Sequence, residues 1–150
     1  MIKNKKILVF GSSGFLGSHL VKSLYKKNEV IQFDSNSPRK EYEGTTFIHG
    51  SILDKTLVSN AMKGVEVVYH FAALTDLDTV NNNPAPAIEI NIAGTSNVLD
   101  ACIENSIKRL IFSSSVYVYS KTGGVYKSTK QACELLIKDY DKMHNLNYRY

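Results

Sequence analysis

The sequence predicts an α/β fold built on an open, doubly wound parallel sheet, and two observations predict it. Apolar runs suited to strands alternate with helical patterns along the whole chain, and the first run leads straight into a glycine-rich turn and then an amphipathic stretch. The runs fall near residues 5–10, 29–34, 45–49, 65–71 and 107–114. One hundred and fifty residues suit a single domain, 1–150, large enough to bury about two-thirds of its unfolded surface.

The turn is Gly11-Ser12-Ser13-Gly14-Phe15-Leu16-Gly17, directly after Ile7-Leu8-Val9-Phe10. A first glycine permits the tight turn, a second lets the backbone approach a pyrophosphate, and a third lets the helix pack on the strand. The phosphates then rest on the helix N-terminus, where unpaired N–H groups and the dipole favour negative charge. Asp34 closes the second apolar run, Val30-Ile31-Gln32-Phe33, 17 positions after Gly17. An acidic side chain there accepts hydrogen bonds from an adenosine ribose, and it repels a 2′-phosphate, so NAD is expected over NADP. Arg39, a few residues on, partly offsets that repulsion.

Asp54 is placed to cap a short helix. Asn83 is expected to cap a longer one from Pro84 to about Asn105, with Ile88, Ile92, Leu99 and Cys102 on one face. Gly94 within it implies close packing, because a helical glycine costs about 1 kcal/mol relative to alanine. Another helix is expected from near Tyr126 to His144-Asn145, carrying Ala132, Leu135, Leu136, Tyr140 and Met143 on one side. Residues 147–150 read as the start of a sixth strand, at which the domain is expected to be cut short of a substrate lobe.

Composition excludes several classes. At 43% hydrophobic and 21% charged the chain is neither disordered nor fibrous. The net charge of +4 comes from lysines such as Lys22, Lys26, Lys27, Lys138 and Lys142, scattered over expected helix surfaces. No arginine or aromatic cluster joins them, so no nucleic-acid partner is expected. Cys102 and Cys133 occupy apolar helix positions without metal-ligand spacing, as buried thiols in a reducing compartment would. His19, His49, His70 and His144 are mutually isolated in sequence, so no metal is expected, and His70 reads as a histidine packed near a strand end. No apolar run approaches 18 residues, which implies a cytoplasmic chain without a membrane partner.

The chemistry concentrates after the fifth run. Ser113-Ser114-Ser115-Val116-Tyr117-Val118-Tyr119 is followed by Tyr126-Lys127-Ser128-Thr129-Lys130. Tyr126 and Lys130 stand four apart at a helix start and share a face. A nearby ammonium, joined by a cationic nicotinamide ring, is expected to lower the phenol pKa from about 10 towards 7, roughly 4 kcal/mol of differential stabilisation. A strand-end hydroxyl, Ser115 first, can assist proton transfer, although a serine-rich strand end also serves simply to satisfy a turn.

With these segments in this order, the chain resembles the extended short-chain dehydrogenase/reductase family, the group of NAD-dependent nucleotide-sugar epimerases and dehydratases, with a Rossmann-like fold. The likeness also rests on Tyr69-His70-Phe71-Ala72-Ala73 and on Asn91 with Gly94-Thr95. It implies Tyr126 as catalytic base, Lys130 as holder of the nicotinamide ribose and Ser115 as hydroxyl partner. It further implies an NAD site drawn from Gly11, Ser13, Gly14, Phe15, Leu16, Gly17, Asp34, Ser51, Ile52, Phe71, Ala72, Ala73, Asn91, Ser113, Tyr126 and Lys130. The function implied is epimerisation of a nucleotide-linked sugar, as in a UDP-glucose 4-epimerase, with the nucleotide sugar as partner and a homodimer formed through the helices at 84–105 and 126–144. Dehydratases and decarboxylases of this group place an acid two positions before the tyrosine of the Val-Tyr pair, where this chain has Tyr117. The other readings are such a dehydratase or decarboxylase, an NAD(P)-dependent reductase, and a non-catalytic NAD sensor.

Overall fold

The computed structural model describes residues 2–150 and contains a six-stranded, all-parallel sheet. Its strands are β1 (Lys6–Phe10), β2 (Glu29–Asp34), β3 (Thr45–His49), β4 (Val67–His70), β5 (Arg109–Phe112) and β6 (Tyr148–Arg149), in the order β3-β2-β1-β4-β5-β6. The order reverses between β1 and β4, so a crevice opens beyond their C-terminal ends. Because the inner strands β2, β1, β4 and β5 are largely buried on both faces, they read as mainly apolar runs without alternation, whereas the edge strand β3 stays half-exposed; in β1, Ile7, Leu8, Val9 and Phe10 are all fully buried.

The two faces are covered unequally. Helices α2 (Lys55–Ala61), α5 (Gly94–Glu104) and α6 (Gly124–His144) cover the face formed by Leu8, Phe10, Ile31, Phe33, Val68, Leu110 and Phe112. The opposite face, with Ile7, Val9, Val30 and Val67, packs on Val21 and Leu24 of α1 (Phe15–Leu24), and Tyr69 and Ile111 on that side are half-buried.

Helix ends follow local chemistry. Asp54 caps α2 by accepting from the Leu57 N–H at 2.9 Å. Asp76 caps α3 (Leu77–Asn82), a helix the sequence pattern does not announce, through the Thr79 N–H at 2.9 Å. Helix α6 starts at Gly124, two residues before Tyr126, and ends on Asn145 in the left-handed conformation, with φ 56°.

The expected helix at 84–105 is corrected in two respects. The Asn83 side chain makes no capping bond, and Pro84 at the first helical position starts the turn instead. The path is also divided into α4 (Pro84–Ile88), a π-helical turn (Glu89–Ala93) and α5. A π-turn inserts one residue and shifts the phase of everything before it. Ala87 therefore takes the fully buried position, and Ile88, which simple periodicity groups with Leu99, is 48% exposed.

His70 at the end of β4 is buried between the rings of Phe10 and Phe112 at 6.0 and 5.5 Å, with Nε2 bonded to Thr95 Oγ1 at 2.9 Å. Burial, with the Lys130 charge adding to it, pulls its pKa from 6.5 to about 3. The unfolded chain therefore binds this proton more readily, so the stabilisation is complete above about pH 6.5 and is lost as pH falls towards 3. Urea unfolding at pH 6.5 and 4.5 should show a loss of about 2 kcal/mol from this group, and His70→Gln should flatten that slope; an unchanged slope would refute the assignment.

Candidate active site

The crevice has two ends joined over the glycine turn. One, of about 350 Å³, is lined by Ser13, Asp34, Asn36, Ser51, Ile52 and Ile90 among others, and the second, of about 340 Å³, by Phe15, Leu16, Gly17, Ser113, Ser114, Tyr126 and Lys130. Gly11, Gly14, Phe71 and Ala73 line both.

The turn demands its glycines. Gly11 has φ 77°, and a Cβ there would stand 2.5 Å from the Ala72 backbone nitrogen. A Cβ on Gly17 would stand 2.1 Å from the Gly11 carbonyl oxygen. Both positions are closed by rigid backbone, which draws the first turn of α1 and the 71–73 loop against the end of β1. Gly14 caps α1 with no side-chain bond, leaving that N-terminus open towards the crevice.

Asp34 serves the turn before any ligand arrives. Its Oδ2 accepts from the Ser13 N–H at 2.9 Å and its Oδ1 from the Asn36 N–H at 2.9 Å. The Ser13 hydroxyl donates to the Asn36 carbonyl at 2.8 Å, and Arg39 Nε donates to the Ser13 carbonyl at 3.0 Å. Ser13 thus ties the glycine turn to the 34–39 segment, and Arg39 acts as part of that tie. Oδ1 also accepts from Asn36 Nδ2 at 3.4 Å, so the second lone-pair site left for a ribose hydroxyl is on Oδ2.

At the other end, α6 lies across β5. Lys130 is 3% exposed, and its Nζ donates to the Ser113 carbonyl at 2.8 Å, passing 4.5 Å from the Phe112 ring and 5.9 Å from the Tyr126 ring. Burial pulls its pKa down to about 8. The phenol moves opposite to expectation in the free chain: burial raises the Tyr126 pKa, and the Ser115 hydroxyl beside it offsets only part of that. Lys130 directs its proton at Ser113, so the lowering expected of the pair needs a further cation beside the ring.

The three serines at the strand end divide their work. Ser113 offers its carbonyl to Lys130, Ser114 donates its hydroxyl to Glu134, and Ser115 accepts from the Tyr117 N–H at 3.3 Å at the start of the 3-10 turn Val116–Tyr119. Ser113 and Ser114 line the crevice wall, and the Ser115 hydroxyl lies beside the Tyr126 phenol. Asn91, in the π-turn, is 1% exposed and committed to protein: its Oδ1 accepts from the Leu74 N–H at 2.7 Å, and its Nδ2 donates to the Leu74 carbonyl and to Thr129 Oγ1. It therefore holds the wall loop to α6 and does not line the crevice. Ile52 packs on Gly94, where a Cβ would meet its Cδ1 at 2.5 Å.

Sequence reasoning missed Ser114, Glu134 and Asn81, whose Oδ1 accepts from the Val125 N–H at 3.0 Å and so caps α6 one residue before Tyr126. Glu134 had a visible signal, an acid one turn beyond Lys130 on the buried side of the helix.

The model of the NAD dependent epimerase/dehydratase family matches residues 7–150. The chain belongs to that family. Among curated relatives it is 33% identical over 147 residues to the UDP-N-acetylglucosamine 4,6-dehydratase (inverting) of Campylobacter jejuni, a match covering 91% of this chain and 43% of that protein. Among solved structures it resembles the UDP-N-acetylglucosamine 4-epimerase of Methanobrevibacter ruminantium, with a TM-score of 0.89 and 29% identity over 98% of this chain and 54% of that one. It likewise resembles the UDP-glucose 4-epimerase of Brucella ovis in complex with NAD, with a TM-score of 0.87 and 30% identity over 96% and 50%. The chain thus spans about half the length of these relatives. The family's cofactor, NAD, fits the residues present: a glycine turn closed to any side chain, an uncapped helix N-terminus and an acid at the end of β2. Among the described residues, no helix is long and apolar enough to cross a membrane.

Tyr126 in the free chain should titrate above the usual tyrosine range. The phenolate absorbance of wild type minus that of Tyr126→Phe, followed against pH without cofactor, reads this directly. Ionisation near neutrality in that difference would contradict it.

Proposed function

We propose that this chain is the NAD-binding domain of a nucleotide-sugar epimerase of the UDP-glucose 4-epimerase type. NAD supplies reversible hydride acceptance. Tyr126, as phenolate, removes a proton from a sugar hydroxyl and returns it later, Lys130 holds the cofactor ribose and steadies the phenolate, and Ser115 relays through its hydroxyl. The keto sugar turns over between the two transfers. The cofactor contacts are those given above: Gly11, Ser13, Gly14, Phe15, Leu16 and Gly17 for the phosphates, Asp34 for the ribose, and Ser51, Ile52, Phe71, Ala72, Ala73 and Ser113 along the walls.

One observation carries the choice of epimerisation over elimination. Among the described residues, none that lines the end of the crevice holding Tyr126 and Lys130 carries a carboxyl group. Loss of water needs an acid to protonate the departing hydroxide, yet Val116 is 83% exposed and Tyr117 packs its ring on Tyr126 at 6.3 Å. Glu134 stands behind Ser114. Dehydration is the second reading, favoured by the likeness to the Campylobacter jejuni dehydratase. The domain is proposed to act with a substrate lobe; alone it should bind NAD and leave sugars unchanged, since reacting atoms must be held about 3 to 3.5 Å apart.

The enzyme containing this domain, incubated with UDP-hexoses and UDP-uronic acids, should yield epimers by chromatography, and Tyr126→Phe should slow it by about 10²-fold or more. A 4-keto-6-deoxy product or released carbon dioxide would overturn the proposal.

We also propose a homodimer through the helices at 84–105 and α6. Leu135 and Met143 are 62% and 63% exposed on α6 and Ile88 is 48% exposed on α4, apolar surface that an isologous partner would cover. Light scattering at high micromolar concentration should give twice the chain mass, and a monomer there would count against it.

A further inference from the structure

The Ser114 hydroxyl and the Glu134 carboxylate have no part in the reaction outlined above, although the two are bonded to each other at the reactive end of the crevice. Ser114 Oγ donates to Glu134 Oε1 at 2.5 Å. Glu134 is buried, and the Tyr150 hydroxyl donates to its backbone carbonyl at 3.0 Å, which fixes that turn of α6 against the strand end. Ser114 lines the crevice together with Tyr126 and Lys130, and Glu134 does not. A serine hydroxyl carries one proton and two acceptor lone pairs. With the proton committed to Glu134, only lone pairs remain for the crevice.

We propose that Glu134 is a positioning residue that fixes Ser114 as a hydrogen-bond acceptor in the crevice wall, where it takes an N–H or O–H donor from the bound ligand. This rests on the NAD and nucleotide-sugar reading, and it names a contact that reading does not contain. Two donors can come there, the carboxamide N–H of the nicotinamide ring and a sugar hydroxyl. A wall that offers only lone pairs discriminates against a ligand that has lost its donor, because the acceptor is then desolvated and unpaired.

The test compares ligands that differ only in that donor. In one arm, calorimetry measures the chain binding NAD and its 3-acetylpyridine analogue, in which a methyl ketone replaces the carboxamide. In the other, with NADH bound to the enzyme that contains this domain, it measures UDP-hexoses against their 4-deoxy-4-fluoro analogues. Wild type should favour the donor-bearing ligand by about tenfold in one arm, which identifies the donor. Ser114→Ala and Glu134→Ala should bring that preference to within about twofold, and Glu134→Gln, whose carbonyl oxygen can take the same proton, should restore most of it. Ser114→Ala decides the matter if Glu134→Ala fails to fold. A wild-type preference absent from both arms, or kept in full by Ser114→Ala, overturns the proposal. Failure of wild type to bind NAD at all overturns the cofactor reading and this proposal with it, whereas NAD binding with unmoved ratios overturns only the proposal.

Discussion

A lysine amine taken almost wholly out of water must find an acceptor, and the placement of the reactive end follows from where Lys130 finds it. The Ser113 carbonyl, just past the end of β5, receives its proton at 2.8 Å. To reach it the side chain crosses the Phe112 ring, which fixes α6 over β5 and so fixes Tyr126 one turn earlier on the same face. Losing the acceptor would leave a buried charge unpaired, at a cost of about 3 to 5 kcal/mol. The same burial that makes this contact matter pulls the amine down to about 8, so Lys130 is a cation near the limit of its range. The site is consequently sensitive to any further positive charge, which would lower the pKa of both groups, favouring the charged phenolate and disfavouring the charged amine.

The second constraint is the backbone packing at the glycine turn. Gly11 and Gly17 leave less than a methyl group of room, so β1, α1 and the 71–73 loop meet as bare backbone. Asp34 and Ser13 then join that junction to the segment after β2. At the other end, Asn91 joins the next residue of the wall loop, Leu74, to Thr129 of α6. The loop after β4 is therefore held at Gly11 on one side and at the π-turn on the other, and it forms the floor shared by both ends of the crevice. Asn91 lies four residues after the buried Ala87 and four before the buried Thr95, so the inner face of this helical path carries it towards Leu74.

What was legible in the sequence was what is set locally. The strands of a doubly covered sheet read as apolar runs, Asp54 reads as a cap because capping is a three-residue affair, and the glycine spacing reads as a turn because side chains are excluded there whatever surrounds it. The pairing of Tyr126 with Lys130 was legible for the same reason. The π-turn was not, because one inserted residue leaves no mark on composition and only shifts the phase, which is why Ile88 was placed on the wrong side. Nor was the direction of the Tyr126 shift: proximity of an ammonium can be read from four-residue spacing, but desolvation and the competing claim of the Ser113 carbonyl are properties of the packed structure. Helix α3 escaped notice because six residues capped by Asp76 carry too short a pattern to show a period.

These two constraints explain why the crevice is chemically uneven. Around the glycine turn the binding surface is backbone N–H and a carboxylate already engaged in three hydrogen bonds, a rigid arrangement suited to holding a charged ligand in one register. Around Tyr126 the groups are serines, each held through a different atom or partner. An unengaged hydroxyl can serve either as donor or as acceptor and so selects nothing. A hydroxyl whose proton is already assigned selects by polarity: Ser114 gives its proton to Glu134, whereas Ser113 is held through its carbonyl by Lys130 and Ser115 accepts from the Tyr117 N–H, so consecutive residues of identical chemistry are held in three different ways. The specificity of that end is therefore written in α6, in the residues behind the serines.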